Sequence, residues 1–577
     1  FYGPEQWVES TDDLRRGPDG RCIAQCLLFN PLPVPVEVDY TCVVKGYYLQ
    51  EVGRDAARLT LAPHATVRRE VPFIATADAP SYFMSTKLEA VQRPALGWPP
   101  YDELAFFPGL RHMVPWTDPY RYTFHRRLGV KRVMNAPRPR LALHGQWEAA
   151  FTRDLQPVVP APAGLQFDPV IVPPLWGRFP NHKDPRSNAL YLRRKFVLPE
   201  NVTGHVARLI VDSVSSEGTL YVNGRRVGHI RGYGTPLIGD ATGALRAGEN
   251  EILLVIRNKL AITNPEYVNA ENPTESTQYM DAPGDCNASL SMYGGVWLEL
   301  MPAVAAQDVK VDTSVRRRTI GAQLMVTNAG PQAARLKIRA VVEDAGRPLF
   351  TLGEQELTLP AGESRPVTFS RQWKNPRLWS WRQPNLYTLA VELSDAATGQ
   401  RLDLARERFG FRETWVQGDR LFFNGRPVRL NGVGTAPSIS MRCDVTLGRG
   451  SFCPDFNDET GDPITVLVSG LGNTPSKYNV ASDLFWTTTQ SNALVAVKRK
   501  WNHPSIIAWD LSNEWYTYAP YTGADMALTG QRFMTLCRAV EQLDPSRWTF
   551  FNGDYDIGGL HCVVSSHYML EAAGRGR

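Results

Sequence analysis

The chain has 577 residues, of which 43% are hydrophobic and 21% charged, and its formal net charge at pH 7 is +5. At roughly 150 residues per domain this length indicates several domains, and the share of apolar residues excludes long disorder. Like charges form no run of five or six residues and apolar residues form no stretch of 18, so neither a nucleic-acid partner nor a membrane span is predicted.

Short strand patterns open the sequence. Apolar runs such as those at 34–43 and 67–73 are separated by turn residues, and residues 1–91 are therefore predicted to form a β-sandwich. Residues 92–140 are rich in proline, arginine and aromatic residues without clear periodicity. We predict that this second stretch is a connecting segment that lacks regular structure.

Strand signals become dense from residue 141 onward. Asn223-Gly224 lies between two strand-like runs and indicates a hairpin, because both central residues of a type I′ turn need positive φ. Residues 141–302 are predicted to be a β-sandwich or jelly roll. Further runs at the spacing of an immunoglobulin-like sandwich predict a third β domain at 303–412.

The pattern changes in the last part of the chain. Residues 506–511 read IIAWDL, which is typical of a strand buried on both faces in a parallel sheet. Apolar positions then recur at spacings of three and four between Met526 and Leu543 and predict a helix. A further strand pattern at 548–551 completes a βαβ unit, so residues 413–577 are predicted to be α/β.

Asn513 and Glu514 directly follow the predicted buried strand. In α/β barrels the catalytic groups project from this end of the strands. Trp509, Trp515 and Tyr516 flank the glutamate in sequence and are expected to desolvate its carboxyl group partly, which raises a carboxyl pKa toward that of a general acid. The alternative, from position alone, is that Glu514 is an ordinary solvated residue that opens a loop.

The motif at 502–514, N-H-P-S-I-I-x-W-x-x-x-N-E, resembles the acid/base signature of glycoside hydrolase family 2, which includes β-galactosidases, β-glucuronidases and β-mannosidases. Residues 409–432 are similar to the passage from the immunoglobulin-like domain into the barrel of that family. Residues 219–228 and 294–297 are similar to parts of its sugar-binding jelly roll. The resemblance covers residues 141–577 apart from one segment, and the domains follow the family's order.

This resemblance implies a jelly roll, an immunoglobulin-like domain and a (β/α)₈ TIM barrel that hydrolyses β-linked glycosides with retention, and β-galactosidase is the first expectation. Glu514 is then the general acid/base, and Asn513 binds the 2-hydroxyl of the sugar. Trp515 is expected near the substrate, and His567 and Tyr568 are expected to line the sugar subsite. The alternatives are a backbone-capping role for Asn513 and packing or loop positions for His567 and Tyr568.

Two features depart from the family pattern. The region 413–577 has 165 residues, whereas a complete barrel takes about 250. Because of this length, the barrel is expected to be incomplete. Glu571 lacks the sequence context of a nucleophile, so the nucleophile is expected to be absent from the chain. Residues 437–477 lack the expected βα units, which suggests a slip of the reading frame and predicts that the first barrel strands cannot form.

No cofactor and no metal is predicted, because the eight cysteines lack the paired spacing of zinc sites and no nucleotide, zinc-peptidase or serine-hydrolase motif occurs. The expected partner is a carbohydrate, and the oligomeric state is left open. Since residue 1 is Phe rather than Met, the compartment is also left open, with the periplasm and the extracellular space among the alternatives. The competing function is a non-catalytic carbohydrate-binding protein with a degenerate barrel.

Overall fold

A computed structural model describes residues 9–16, 21–29, 35–45, 51–63, 65–74, 81–91, 121–129, 140–143, 145–172, 179, 184, 186–198, 205–232, 235–270, 279–283, 290–418, 420–428, 430–433, 445–449, 458, 461, 463–472, 475–554, 557, 559–561, 563 and 565. The chain divides into two compact units. One unit consists of residues 1–148, 168–183 and 295–298, and the other of residues 149–167, 184–294 and 299–577. Of the helices in these described stretches, none has the length and apolar character needed to cross a membrane.

The first unit contains two antiparallel sheets, with the strand orders β1-β2-β5 and β4-β3-β6-β7. The Thr86 hydroxyl lies 3.8 Å from the sulfur atoms of both Cys26 and Cys42, so one strand of one sheet and two of the other share a buried contact. The strands of this part of the chain are β1 (Glu9–Arg16), β2 (Arg21–Phe29), β3 (Val36–Lys45), β4 (Glu51–Leu61), β5 (Thr66–Ile74), β6 (Ser81–Ala90), β7 (Arg121–Gly129), β8 (Arg140–Ala142), β9 (Gly145–Thr152) and β10 (Asp168–Val172).

Strand β7 lies within residues 92–140, where the sequence analysis predicted no regular structure. That prediction is wrong for residues 121–129, which pair with β6 from Glu89 opposite Arg121 to Ser81 opposite Gly129. Alternation in RYTFHRRLG is limited to Tyr122 and Phe124, too short a pattern to predict a strand. The strand forms because the edge of β6 supplies hydrogen-bond partners for its backbone.

The part of the second unit that precedes residue 294 contains a sheet with the order β11-β16-β13-β14 and a second sheet in which β12 pairs with β15. Asn223 and Gly224 connect β13 to β14 with φ values of 50° and 80°, as the hairpin signal predicts. The strands of the jelly-roll region are β11 (Ala189–Leu198), β12 (Val206–Ser215), β13 (Glu217–Val222), β14 (Arg225–Arg231), β15 (Leu237–Asp240), β16 (Gly248–Arg257) and β17 (Ser291–Met301), with 3₁₀ turns at Lys259–Ile262 and Pro265–Tyr267.

The third sandwich has two antiparallel sheets, β18-β19-β22 and β21-β20-β25-β26. Ile320, Ile338, Leu389 and Val391 are fully buried in one shared core, as the alternating strand patterns predict. Its strands are β18 (Val304–Ser314), β19 (Thr319–Asn328), β20 (Ala334–Asp344), β21 (Arg347–Leu359), β22 (Ser364–Gln372), β23 (Trp379–Ser380), β24 (Gln383–Pro384), β25 (Tyr387–Asp395) and β26 (Arg401–Phe409).

The last part of the chain forms a parallel sheet with the order β30-β31-β32-β33-β34. Its elements, after a small sheet of β27 (Thr414–Gln417), β28 (Arg420–Phe423) and β29 (Arg426–Val428), are β30 (Leu430–Val433), β31 (Val445–Arg449), β32 (Ile464–Leu467), α1 (Lys477–Ala481), α2 (Asp483–Lys500), β33 (Ile506–Asn513), α3 (Trp515–Tyr518), a 3₁₀ turn (Ala519–Thr522), α4 (Met526–Leu543) and β34 (Trp548–Asn552). The Ser482 and Asp525 side chains cap α2 and α4.

This sheet corrects one prediction. Strands β31 and β32 lie inside residues 437–477 and pair in parallel with each other and with their neighbours. The expectation that the first barrel strands cannot form is therefore wrong. Both strands are short, with five and four residues, so helical periodicity was a poor guide to this stretch.

Two arginines fix the amino end of β33. The Arg412 guanidinium donates to the carbonyls of Pro504 (3.0 Å) and Ile506 (2.5 Å), and Arg547 donates to the carbonyls of Ile506 (2.7 Å) and His503 (2.7 Å). Both arginine side chains are buried. Arg412 follows β26 closely, so the third sandwich directly sets the position at which β33 begins.

Two buried carboxylates complete this anchor. Asp458 accepts from His503 Nδ1 (2.6 Å) and from the backbone N of Ser505 (3.0 Å). Asp544 accepts from Arg547 (2.6 Å), and Lys310 of the third sandwich lies 3.7 Å away. Burial opposes the ionisation of Asp544, but the charges of Arg547 and Lys310 lower its pKa to about 2.

We expect Asp544→Asn to lower the free energy of unfolding by about 3–5 kcal/mol at pH 7, because it leaves buried cations without their counter-ion. The folded-state pKa of Asp544 lies below its unfolded value, so this stabilisation is present above pH 4 and is lost as the pH falls toward 2. Urea unfolding of the unaltered protein and of Asp544→Asn at several pH values measures the difference in the free energy of unfolding. This difference should become smaller as the pH falls from about 4 toward 2.

The matched control is Asp483→Asn, which breaks the ion pair of Asp483 with Arg532. The Asp483 side chain is 87% exposed, so this change should cost less than about 1 kcal/mol. Equal losses for the two variants would contradict the anchoring role of Asp544.

Candidate active site

Strand β33 carries Asn513 and Glu514 to the carboxyl edge of the parallel sheet. The backbone N of Asn513 donates to the carbonyl of Leu471 (2.8 Å) after β32, and the backbone N of Glu514 donates to the carbonyl of Asn552 (2.8 Å) at the end of β34. The Asn552 amide also donates to Oδ1 of Asn513 (3.3 Å). The two predicted site residues are therefore held between the loops of the neighbouring strands.

Glu514 has the backbone conformation of a left-handed turn, with φ 57° and ψ 20°, and α3 begins directly after it. A non-glycine residue in this region costs on the order of 1–3 kcal/mol and is retained where the surrounding structure imposes it. The residue is 6% exposed, which confirms the burial expected from the sequence and excludes the ordinary solvated position. A buried carboxyl group at this edge is suited to proton transfer.

Asp554 is a second carboxylate at the same edge, and the sequence analysis missed it. Its side chain is 1% exposed and accepts from the Ser512 hydroxyl and from the backbone N of Thr517 (3.1 Å). Burial raises the pKa of Asp554 to about 6 against these hydrogen bonds, and the charge of Glu514 adds to the rise. In the sequence, Asn552-Gly553-Asp554 is an ordinary turn signal, although it ends a barrel strand as Asn513-Glu514 does.

Trp515 does not line the carboxyl edge in this structure. Its side chain is almost completely buried, and its ring contacts Phe485 (6.2 Å between centroids), Trp486 (5.5 Å) and Phe533 (5.8 Å). A sugar stacks on an exposed aromatic face, so this placement does not support the prediction that Trp515 lies near the substrate.

The other predicted neighbours of the site are placed differently. The indole N of Trp509 donates to Asp544 (2.9 Å), so this ring belongs to the anchor and does not flank Glu514 as expected. His567 and Tyr568 lie outside the described residues, as does Glu571, and their assignments stay predictions.

Among the described residues, one group has side chains of metal-ligand type close together, namely Cys537, Glu541 and His561. Their ligand atoms all converge on the Thr549 hydroxyl, which lies 3.2 Å from the sulfur, 2.7 Å from Oε1 and 3.1 Å from Nε2. The hydroxyl occupies the position that an ion would need. The arrangement is a hydrogen-bonded network that joins α4 to the segment after β34.

We expect Trp515→Ala to lower the free energy of unfolding by about 3–5 kcal/mol, because it opens a cavity among three aromatic rings. The control is Tyr521→Ala in the same connecting segment, whose ring is 84% exposed and whose removal should change stability by less than about 0.5 kcal/mol. Urea unfolding followed by far-UV circular dichroism measures both. If the two variants lose the same stability, the Trp515 ring is not a core element.

Two family models match the chain. Residues 304–412 match glycosyl hydrolases family 2, and residues 458–571 match the TIM barrel domain of glycosyl hydrolases family 2. The second match begins at Asp458, inside the segment 437–477. The prediction of a reading-frame slip is therefore wrong for residues 458–477, in agreement with the buried bonds of Asp458 to the motif.

Similar proteins carry related names. A putative beta-glucuronidase of Formosa agariphila is 26% identical over 420 residues, which are 66% of this chain and 46% of the relative. A beta-galactosidase of Leuconostoc mesenteroides is 23% identical over 437 residues, which are 65% of this chain and 40% of the relative. The chain thus spans less than half the length of these two curated relatives.

The solved structure of Bacteroides uniformis beta-glucuronidase 2 has the same fold, with a TM-score of 0.58 at 19% identity over 73% of this chain and 54% of that structure. The second family match contains the N-H-P-S motif, Asn513 and the buried Glu514. Two parts of this chain, residues 304–412 and 458–571, therefore match domains of glycoside hydrolase family 2.

Proposed function

We propose that the protein that contains this chain is a retaining hydrolase of β-linked glycosides and that Glu514 is its general acid/base. The observation that carries the proposal is the position of Glu514, buried and fixed in a left-handed turn at the carboxyl end of β33. Catalytic groups of α/β barrels occupy this edge. Two neighbouring loops hold the backbone of the Asn513-Glu514 pair.

The chemistry has two steps. In the first, the Glu514 carboxyl group donates its proton to the glycosidic oxygen while a nucleophilic carboxylate attacks the anomeric carbon and the bond to the leaving group breaks. In the second, the Glu514 carboxylate removes a proton from water, whose oxygen attacks the same carbon while the bond from that carbon to the nucleophilic carboxylate breaks, which releases the sugar. Asn513 uses its Oδ1 to accept from Asn552, which leaves its amide N–H groups to donate to the 2-hydroxyl of the sugar.

The nucleophile is proposed to be a carboxylate on a later barrel strand, about 5–5.5 Å from Glu514 and outside residues 413–577. Strands β30 to β34 would then be five of the eight strands of the barrel. Asp554 is unsuited to this role, because its carboxylate is 1% exposed and is held by several hydrogen-bond donors. His567 and Tyr568 remain proposed subsite residues.

The proposed substrates are β-glucuronides first and β-galactosides second. The family resemblance favoured β-galactosides, whereas the Formosa relative and the Bacteroides structure are both named for β-glucuronides. A panel of aryl β-glycosides that share one leaving group ranks the two sugars by kcat/KM.

Glu514→Gln in the full-length gene product should lower kcat/KM for unactivated β-glycosides by about 10³-fold, because the leaving group loses its proton donor. Turnover of 2,4-dinitrophenyl β-glycosides should fall less in the first step, since that leaving group needs little protonation. For Glu514→Ala, added azide should restore turnover of the activated substrate and give a β-glycosyl azide, because azide replaces water in the second step without a general base.

The control is Asp525→Asn, an exposed residue whose side chain caps α4 and can do so as Asn. This variant should have the same kcat/KM as the unaltered protein for both the unactivated and the 2,4-dinitrophenyl glycosides. Unchanged activity of Glu514→Gln on unactivated glycosides would remove Glu514 from the mechanism. Oligosaccharide binding without turnover by the unaltered protein would instead favour the non-catalytic carbohydrate-binding protein.

A further inference from the structure

We propose that Asp554 is a positioning residue for the acid/base: its carboxylate fastens the turn that carries Glu514 and places a second negative charge beside it. This inference rests on the proposed role of Glu514 and extends it to a neighbouring strand. Asp554 follows β34, whereas Glu514 follows β33, so the two carboxylates come from adjacent loops at one edge of the sheet.

The hydrogen bonds of Asp554 bracket Glu514 in the chain. The Ser512 hydroxyl, two residues before Glu514, donates to one carboxylate oxygen. The backbone N–H groups of Tyr516 and Thr517, two and three residues after it, donate to the carboxylate as well. One side chain thus holds both ends of the turn, and the strained φ of Glu514 is imposed from outside the turn.

A second contact joins the same two loops. The Thr517 hydroxyl donates to the carbonyl of Gly553 (2.7 Å), directly before Asp554. With the bond from the Glu514 backbone N to the Asn552 carbonyl (2.8 Å), the loop after β34 contacts the turn on both sides of the glutamate. A change at Asp554 is therefore transmitted to the direction of the Glu514 side chain.

Charge couples the two residues in addition to geometry. The polar groups that bind Asp554 are neutral, namely one hydroxyl and backbone amides, and the charge of Glu514 also acts on it. Two carboxylates in a buried setting disfavour each other's ionised form. Because its side chain is 1% exposed, Asp554 acts through Glu514 and not on the sugar.

The test is Asp554→Asn in the full-length gene product. Asn removes the charge and replaces one acceptor oxygen by an NH₂ group that faces hydrogen-bond donors. We expect kcat/KM for an unactivated β-glycoside to fall about 10- to 100-fold and that for the 2,4-dinitrophenyl glycoside to fall less. The ratio of these two losses is the informative quantity, because only the unactivated glycoside depends on proton donation by a correctly placed Glu514.

Asp525→Asn, which removes the exposed carboxylate that caps α4, should leave kcat/KM for both substrates unchanged. Equal losses on both substrates for Asp554→Asn would reduce Asp554 to a structural residue and overturn the proposal. If Asp554→Asn does not fold, the test is Ser512→Ala, which removes one hydrogen-bond donor to Asp554 and keeps the charge. A selective loss of kcat/KM for the unactivated glycoside supports the positioning role of Asp554, and unchanged kinetics overturn it. Unchanged activity of Glu514→Gln on unactivated glycosides would contradict the proposed acid/base role of Glu514. This result distinguishes failure of the proposed function from failure of the positioning role of Asp554.

Discussion

The carbonyl of Ile506 is the point on which the geometry of the site depends, because it accepts hydrogen bonds from the guanidinium groups of both Arg412 and Arg547. Arg412 comes from the end of the third sandwich, and Arg547 comes from the turn before β34. Seven of the eight residues of β33 are buried, so the strand is held along its length once its first residue is fixed. At about 3.3 Å per residue, the anchor reaches Glu514 across roughly 25 Å of rigid strand.

Two buried carboxylates near opposite ends of β33 have pKa values that are shifted in opposite directions. At the amino end, burial of Asp544 is outweighed by Arg547 and Lys310, and the pKa is lowered to about 2. At the carboxyl end, burial of Asp554 and the charge of Glu514 outweigh neutral hydrogen-bond donors, and the pKa is raised to about 6. Paired carboxylates stabilise the fold, whereas a carboxyl group whose pKa is raised toward neutrality is typical of functional sites. The stabilising carboxylate and the proposed catalytic edge are thus separated by the length of one strand.

Sequence patterns predicted the elements whose signal is local. The run IIAWDL predicted β33, three-and-four spacing predicted α4, and the aromatic residues near Glu514 in the sequence predicted its partial desolvation. The structure confirms the strand, the helix and the burial of Glu514. The rest depends on partners distant in sequence. Strand β7 needs the edge of β6, and Asp554 is recognised only when β34 is placed beside β33. The burial of the Trp515 ring depends on the left-handed backbone conformation of Glu514, which cannot be predicted from the residue type.

The motif at residues 502–514 has two roles, contact with the third sandwich at its first residues and placement of Glu514 at its last residue. Strand β33 connects the two. Asn502 donates to the carbonyl of Val309 (2.7 Å) and accepts from the backbone N of Val311 (2.9 Å), which ties the motif to the third sandwich. The other end of the motif holds Glu514 in a strained turn beside a second buried acid. Strain and like charge both lower stability, and a protein that only binds carbohydrate gains nothing from either. Their presence at the edge where barrels do chemistry therefore favours a catalytic protein over a binding protein.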